Sequence, residues 1–262
     1  MERENLKYKI GISLLPLVGG ITARKLIAYA GSAEAVFNEK KTALLKIPGI
    51  GKQTAQHILN RKVLEQAENE IEALSRHNIR AVFYLDEEYP ARLKHCTDAP
   101  VLLYVKGDID FNHDKVISIV GTRDSTEYGR TICEKLILGL KENGHDPVIV
   151  SGLAYGIDVT AHKLAMKYSL RTIAVLGHGL KHMYPAVHSS VSRQIIKQGA
   201  LVTEFHYELP ADRMNFVSRN RIIAGLADAT VVVESKLTGG ALITADLANS
   251  YNRDVFAVPG RT

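Results

Sequence analysis

From Lys115 onward the sequence alternates short, wholly apolar runs with segments long enough for helices, and this alternation restricts the chain to few folds. The pattern predicts strands over 116–120, 148–150, 172–176, 200–204, 229–234 and 255–258. Between them it predicts helices over 127–142, 157–168, 189–198, 216–226 and 240–249. Strands that are apolar throughout, and separated by helices, belong to a mainly parallel sheet covered on both faces. The expected fold class is therefore α/β, a Rossmann-like doubly wound sheet. Ligands of such sheets sit beyond the carboxyl ends of the strands, so the loops after each apolar run are the places to look for function.

The first part of the chain reads differently. Helices are predicted over 6–15, 23–30, 33–37, 42–45, 52–60 and 63–77, with Ser32 and Thr42 as N-caps, and no β-branched alternating run precedes residue 79. Two domains are expected: a small all-α domain over 1–78 and an extended α/β domain over 79–262. Short extended runs at 80–85 and 101–105 lead into the second. Of the net charge of +5, the first 78 residues hold 12 basic and 8 acidic side chains. The balance permits a polyanionic partner, but in the α/β part an anion site must be made locally, from a few arginines and lysines and from backbone N–H groups.

With 46% hydrophobic residues, a buried core is within reach. The two cysteines, Cys96 and Cys133, form no metal or redox motif, which fits a reducing, cytoplasmic setting. The charged N-terminus does not resemble a signal peptide. The longest apolar stretch, 10–21, is interrupted by Pro16, Gly19 and Gly20 and is too short to span a bilayer, so no membrane association is expected.

The loops carry the chemistry. Gly121-Thr122-Arg123 follows a predicted strand. Arg123 stands where a dinucleotide fingerprint needs its second glycine, which disfavours a nicotinamide or flavin cofactor and suits an anion held by side chain and backbone together. The other reading is an arginine ion-paired on a loop. Ser151-Gly152 opens a second glycine-containing loop. Asp158 and His162 follow it, one helical turn apart, either as a general-base pair or as residues that orient the loop. Lys181 follows a third strand. His178, His182 and His188 fit no common zinc spacing, and no metal is expected.

Arg213, Arg219 and Arg221 surround Phe216, a grouping in which the aromatic stacks on a base while arginines hold phosphates, or in which Phe216 is a hydrophobic staple and Arg219 and Arg221 bind helix C-termini or carboxylates, Arg221 first. Gly239-Gly240 opens the last helix. No Walker A loop occurs, and Ser151 is not in a nucleophile elbow.

In the helical part, Leu44 to Ile58 has the helix-hairpin-helix form. Gly49 and Gly51 permit a tight turn that aims backbone N–H groups outward, with Lys46 and Lys52 beside it and Ile50 and Ala55 placed to pack the two helices. The turn serves either DNA backbone contact or structure alone. A degenerate copy starts at Leu17, read with Leu17 opposite Ile47 and Ile21 opposite Gly51, and is expected to be structural.

Several motifs together resemble the bacterial DNA-processing protein A family (DprA, also called Smf). They are Ser151-Gly152-Leu153-Ala154-x-Gly156-Ile157-Asp158 with Ala161-His162, Tyr184-Pro185, Arg219-Asn220-Arg221-Ile222-Ile223-Ala224-Gly225, Leu242-Ile243-Thr244-Ala245 and Val255-Phe256-Ala257-Val258-Pro259-Gly260. Tyr89-Pro90-x-x-Leu93 and Pro100-x-x-Leu103-Tyr104-x-x-Gly107 fit the family's lead-in to the α/β domain. The resemblance implies a sterile-alpha-motif or helix-hairpin-helix domain followed by an extended Rossmann-like domain. It implies binding and protection of single-stranded DNA, homodimerisation through the Rossmann-like domain, and loading of the RecA recombinase in natural transformation and recombination, with no cofactor and no catalytic activity. By the same resemblance Gly121-Thr122-Arg123 is the phosphate loop, Lys181, Arg213 and Phe216 lie in the DNA groove, and Ser151, Gly152, Arg219, Asn220, Gly239 and Gly240 complete the expected DNA site. Val217 stands where a proline is usual, and Gly239-Gly240 replaces a Ser/Gly arrangement. Many members continue past the counterpart of Pro259-Gly260 into a winged-helix domain, and this sequence stops short of one. The competing reading is a Rossmann-like nucleotide N-glycosidase, whose glycine-rich loop Thr238-Gly239-Gly240-Ala241 half matches, with Arg219 and Glu234 as the catalytic pair.

Overall fold

The structure is a computed structural model that describes residues 2–260; Met1, which opens the charged N-terminal run, and residues 261–262 at the end of the expected second domain lie outside the described residues. Six helices come first: α1 (Glu2–Ser13), α2 (Gly20–Ala30), α3 (Ala33–Asn38), α4 (Lys41–Leu44), α5 (Lys52–Asn60) and α6 (Lys62–Arg76). There follow β1 (Arg80–Phe83), α7 (Ala91–Lys94), β2 (Leu102–Gly107), β3 (Val116–Gly121), α8 (Glu127–Glu142), β4 (Val148–Ser151), α9 (Ile157–Lys167) and β5 (Thr172–Val175). The chain continues with α10 (Ser189–Gln198), β6 (Gly199–Thr203), α11 (Arg213–Leu226), β7 (Ala229–Glu234), α12 (Gly240–Ser250) and β8 (Asp254–Ala257).

By packing, the chain divides into two units. The first runs to Asp86 and takes in Thr97–Leu103; the second consists of Glu87–Cys96 and the chain from Tyr104 onward. The division therefore falls elsewhere than 78/79. The kind of secondary structure changes at residue 79, but β1 and the 97–103 segment pack with the helices. Lys9 reaches Asp86 at 2.6 Å, and Arg24 Nη2 donates to the Ala99 carbonyl at 2.7 Å.

Within the helical unit two hairpins repeat at a spacing of 32 residues. Leu17 and Gly49 both hold positive φ, 65° and 91°. Gly19 and Gly51 are the N-caps of α2 and α5. Val18 N donates to Leu15 O at 3.2 Å and Ile50 N to Ile47 O at 3.0 Å; Ala23 N donates to Gly19 O at 2.9 Å and Ala55 N to Gly51 O at 3.0 Å. Leu15-Pro16-Leu17-Val18-Gly19 thus matches Ile47-Pro48-Gly49-Ile50-Gly51, two residues away from the register read from sequence. That register paired glycines by identity, whereas the backbone pairs them by conformation. In the first hairpin a Cβ on Gly20 would stand 2.3 Å from the Ala99 carbonyl oxygen, so this glycine serves a close backbone approach. Ser32 caps α3 as expected, accepting from Ala35 N at 3.0 Å, whereas Thr42 caps nothing, because α4 starts one residue earlier behind Lys40.

The sheet runs in the order β1-β2-β6-β5-β4-β3-β7-β8. β2 is antiparallel to β6, with Tyr104 opposite Thr203, and every neighbouring pair from β6 to β8 is parallel. β4, β5 and β6 are buried along their whole length, as their unbroken apolar runs require. A core of Ile119, Cys133, Ile137, Ile149 and Ile157 packs where α8 and α9 meet the strands, and a second cluster around Leu153, Ala174, Ile195 and Leu201 lies where α10 meets β5 and β6. The strand order reverses at β3, with β4 on one side of it and β7 on the other.

Two glycines test this packing in opposite senses. A Cβ on Gly199 would lie 2.0 Å from the Thr172 carbonyl oxygen in the neighbouring strand, whereas one on Gly139 in α8 would meet nothing within 4 Å. Gly199→Ala should lose about 1–3 kcal/mol and Gly139→Ala should gain about 0.5–1 kcal/mol. Urea midpoints with unchanged slopes would read both, and a neutral Gly199→Ala would contradict the β5–β6 register.

Candidate functional site

The loops that follow β3 and β7, on the two sides of the reversal, wall a cleft of about 750 Å³ together with the first turns of α11 and α12. This is where a doubly wound sheet opens for a ligand. Glycines let the walls close up. A Cβ on Gly121 would fall 2.5 Å from Ile157 Cγ1, and Gly156, at φ 75°, passes so near Thr122 that a Cβ would stand 2.1 Å from its carbonyl oxygen. The Gly121-Thr122-Arg123 loop is tied down by Thr122 N donating to Glu234 O at 2.7 Å and by Ile157 N donating to Thr122 O at 3.2 Å. Glu234 turns its carboxylate to the start of α8, where Oε2 accepts from Thr126 N at 3.0 Å.

Arg123 and Arg213 are exposed, both line the cleft, and neither forms an ion pair among the described residues. Arg213 begins α11, whose N-cap Asp212 accepts from Met214 N at 2.8 Å. One turn later the half-buried Phe216 packs on Gly177, where a Cβ would lie 2.6 Å from its ring. Its ring centroid stands 5.3 Å from that of Tyr184, tilted by 39°, and Tyr184 is 49% exposed to the cleft. Lys236, in the loop after β7, forms an ion pair with Asp124 at 3.0 Å.

Of the residues expected at the site, the structure brings Gly121, Thr122, Arg123, Arg213, Phe216, Arg219, Asn220, Gly239 and Gly240 to this cleft. Two of them are committed to the framework. Arg219 is 4% exposed, and its Nη1 donates to the Gly152 carbonyl at 2.7 Å and to the Val175 carbonyl. Burial pushes its pKa down to about 10, partly offset by Asp158, so it stays charged at neutral pH. Asn220 Nδ2 donates to the Gly240 carbonyl at 3.2 Å and fixes the opening of α12.

Ser151 and Gly152 lie beneath the cleft, outside its lining. Ser151 is fully buried with Oγ donating to Ile119 O at 2.6 Å, and Gly152 lies under the Arg219 guanidinium, where a Cβ would be 2.5 Å from Nη1. The strand they end is covered on both faces, so its last residues face neighbours instead of solvent. Lys181 is also absent from the cleft; its Nζ pairs with Glu208 at 2.5 Å. Arg221 is structural as read, its guanidinium held by both oxygens of Glu204.

Asp158 and His162 serve separate partners. Asp158 Oδ2 accepts from Gly152 N at 3.2 Å, and burial raises its pKa against the pull of Arg219. His162 Nδ1 meets Thr172 Oγ1 at 2.7 Å, and burial pushes its pKa down to about 3. With no exposed surface, His162 cannot reach a substrate, and it is Asp158, through Gly152 N, that holds the loop. His178 and His188 bond the backbone carbonyls of Gly179 and Leu153, and no group of three metal-ligating side chains converges among the described residues. Glu234 does not line the cleft and Arg219 is spent on carbonyls, so the two do not form a catalytic pair there.

In the helical unit Lys46, Gly49, Gly51 and Lys52 are all exposed, and a Cβ on either glycine would meet nothing within 4 Å. Ile50 and Ala55 are buried as expected, and no side chain caps α5. Among the described residues no helix is long and apolar enough to cross a membrane.

Sequence reasoning missed Tyr184, Asp124 and Lys236 as cleft residues. Tyr184 was visible only as part of a motif. Asp124 and Lys236 are charged side chains that follow β3 and β7 within three residues, the signal by which they are legible.

The fold is a Rossmann-like α/β one whose switch-point cleft presents two arginines, outside any ion pair among the described residues, beside an aromatic pair. The chain belongs to the family of DNA recombination-mediator protein A, whose family model matches residues 80–262. It is 34% identical to Protein Smf of Synechocystis, over 99% of this chain and 66% of that protein, and 40% identical to DNA processing protein DprA of Streptococcus pneumoniae, over 67% of this chain and 61% of that one. The X-ray structure of the Streptococcus pneumoniae protein matches with a TM-score of 0.80 at 32% identity, covering 100% of this chain and 87% of that one. DNA processing protein A of Helicobacter pylori, solved for its single-stranded DNA binding mode, matches with a TM-score of 0.64 at 28% identity over 71% of this chain and 83% of that one. The chain spans 57% to 66% of the length of the first curated relatives it matches.

The buried imidazole gives the fold a signature in acid. His162 is neutral in the folded protein down to about pH 3, while an unfolded histidine takes up its proton near pH 6.5. Stability is therefore full above pH 6.5 and falls as the pH drops toward 3, by up to about 1.4 kcal/mol per pH unit from this residue. In His162→Gln that component should vanish, so urea unfolding at pH 7.5 and 4.5 should show the parent losing about 3 kcal/mol more than the variant. Equal losses would mean that the imidazole protonates in place.

Proposed function

We propose that the cleft grips a single DNA strand without catalysis. The observation that carries this reading is the placement of two exposed arginines free of ion pairs, Arg123 and Arg213, beside the Tyr184–Phe216 aromatic pair in one cleft at the switch point. Arginine forks suit phosphate oxygens, and exposed rings stack on unpaired bases whatever their sequence. At the opening of α12 a Cβ on Gly239 would meet nothing within 4 Å, which leaves room for a sugar–phosphate backbone. The binding of single-stranded DNA by the Helicobacter pylori relative supports the same use here.

In the full reading the protein shields incoming single strands in the cytoplasm, pairs with a second copy through the α/β unit, and hands the strand to a RecA-type recombinase in natural transformation. Family membership supports this reading. The open second hairpin, with Lys46 and Lys52 beside Gly49 and Gly51, adds a backbone contact to it.

Titration of the chain with a labelled single strand and a matched duplex, each at two salt concentrations, tests the reading. Tighter binding of the single strand is expected, with a log–log salt slope of about −0.7 per phosphate contacted. Arg123→Ala and Arg213→Ala should each weaken every sequence alike and flatten that slope by about 0.7. Phe216→Ala should cost about 1–3 kcal/mol. Lys181→Ala, whose lysine is already paired, should change little. An unaltered curve for both arginine variants would remove the cleft from the binding site.

A further inference from the structure

One contact joins the two walls of the cleft at its rim. Asp124 follows the phosphate-loop arginine after β3, and Lys236 stands in the loop after β7, on the other side of the strand reversal. Both line the cleft, and Lys236 Nζ meets Asp124 Oδ2 at 3.0 Å with side chains 72% and 80% exposed. The base of each loop is held independently of this pair, through Thr122 N to Glu234 O and Thr126 N to the Glu234 carboxylate. The pair is therefore not needed to build the cleft. An ion pair this exposed is weak and yields to a better anion.

We propose that Asp124 is an internal competitor for the strand's phosphates: it occupies Lys236 in the free protein and gives it up when a phosphodiester enters, so that it sets how tightly the strand is held and how readily it leaves. The inference rests on the single-strand reading above. Once Arg123 and Arg213 hold two phosphates, a further phosphate is presented to Lys236 at high effective concentration, and the carboxylate is displaced. The exchange forms one ion pair and loses one, so Lys236 adds less affinity than an unpaired lysine would. Lys181, by contrast, pairs with Glu208 outside the cleft lining, at 2.5 Å, away from the phosphates held by the two arginines.

The test is a double-mutant cycle on the full chain, read by anisotropy of a labelled oligo(dT) at two salt concentrations. Asp124→Asn should tighten binding about twofold to fivefold and steepen the log–log salt slope by up to about 0.7, because Lys236 then pairs with phosphate without releasing a carboxylate. Lys236→Ala alone should weaken binding slightly, and in its background Asp124→Asn should lose most of its effect. Equal tightening in both backgrounds would show Asp124 acting as a diffuse negative charge and would overturn the proposal. So would an Asp124→Asn chain that binds like the parent or more weakly. A parent chain that leaves the oligonucleotide free would overturn the single-strand reading, and this inference with it.

Discussion

A buried guanidinium organises the working edge of the sheet. Arg219 reaches from α11 to the carbonyls of Gly152 and Val175, at the ends of the neighbouring strands β4 and β5, with the Asp158 carboxylate as its counter-charge. Removing either partner of a buried charged pair leaves the other uncompensated, which is far more disruptive than losing a surface pair. Because Asp158 also accepts from Gly152 N, the strand-end loop is held from both sides by charge. The same helix carries Arg213, Phe216 and Asn220, so one fixed strut positions a cation, an aromatic ring and the residue that opens α12. The arrangement concentrates the cost of burying charge at one point and leaves the cleft's own arginines free of carboxylates.

That division of labour explains what the sequence disclosed and what it hid. The α/β part was legible because its central apolar runs, in β4, β5 and β6, are buried along their whole length, whereas β8 at the edge is largely exposed; 127–142, 189–198 and 229–234 coincide with α8, α10 and β7. α7 was missed because four residues carry no helical period, and the start of α11 because Asp212 caps four residues upstream of Phe216. Among candidate site residues, position after a strand picks out Arg123 and Gly239-Gly240, which line the cleft. Position cannot tell whether an arginine points at a ligand or at a carbonyl. Arg213 and Arg219 are six residues apart on one helix, and only burial separates the free one from the strut. Position likewise does not disclose that Lys181 pairs with Glu208, 27 residues away.

The cleft also shows why a nucleotide-cofactor fold can serve another ligand. A dinucleotide fingerprint uses small residues to bring a pyrophosphate against the backbone. Here the position beyond Gly121 carries Thr122 and Arg123, and Gly156 crowds that loop from the side of α9. The close approach permitted by glycine at Gly121 and Gly156 is spent on protein against protein, and the cleft is lined instead by outward-reaching side chains such as Arg123 and Arg213.

The paired hairpins of the helical unit bear on how such elements are found. Leu17 occupies a left-handed backbone position that in the second hairpin belongs to glycine, and a leucine there is strained by about 1 kcal/mol or more. Its neighbour Gly20, seated against Ala99, keeps the turn in shape through packing. A duplicated turn can therefore shed its signature residue and survive on the contacts that surround it. Searches keyed to the glycine spacing alone would count one hairpin in chains like this one, where the backbone holds two.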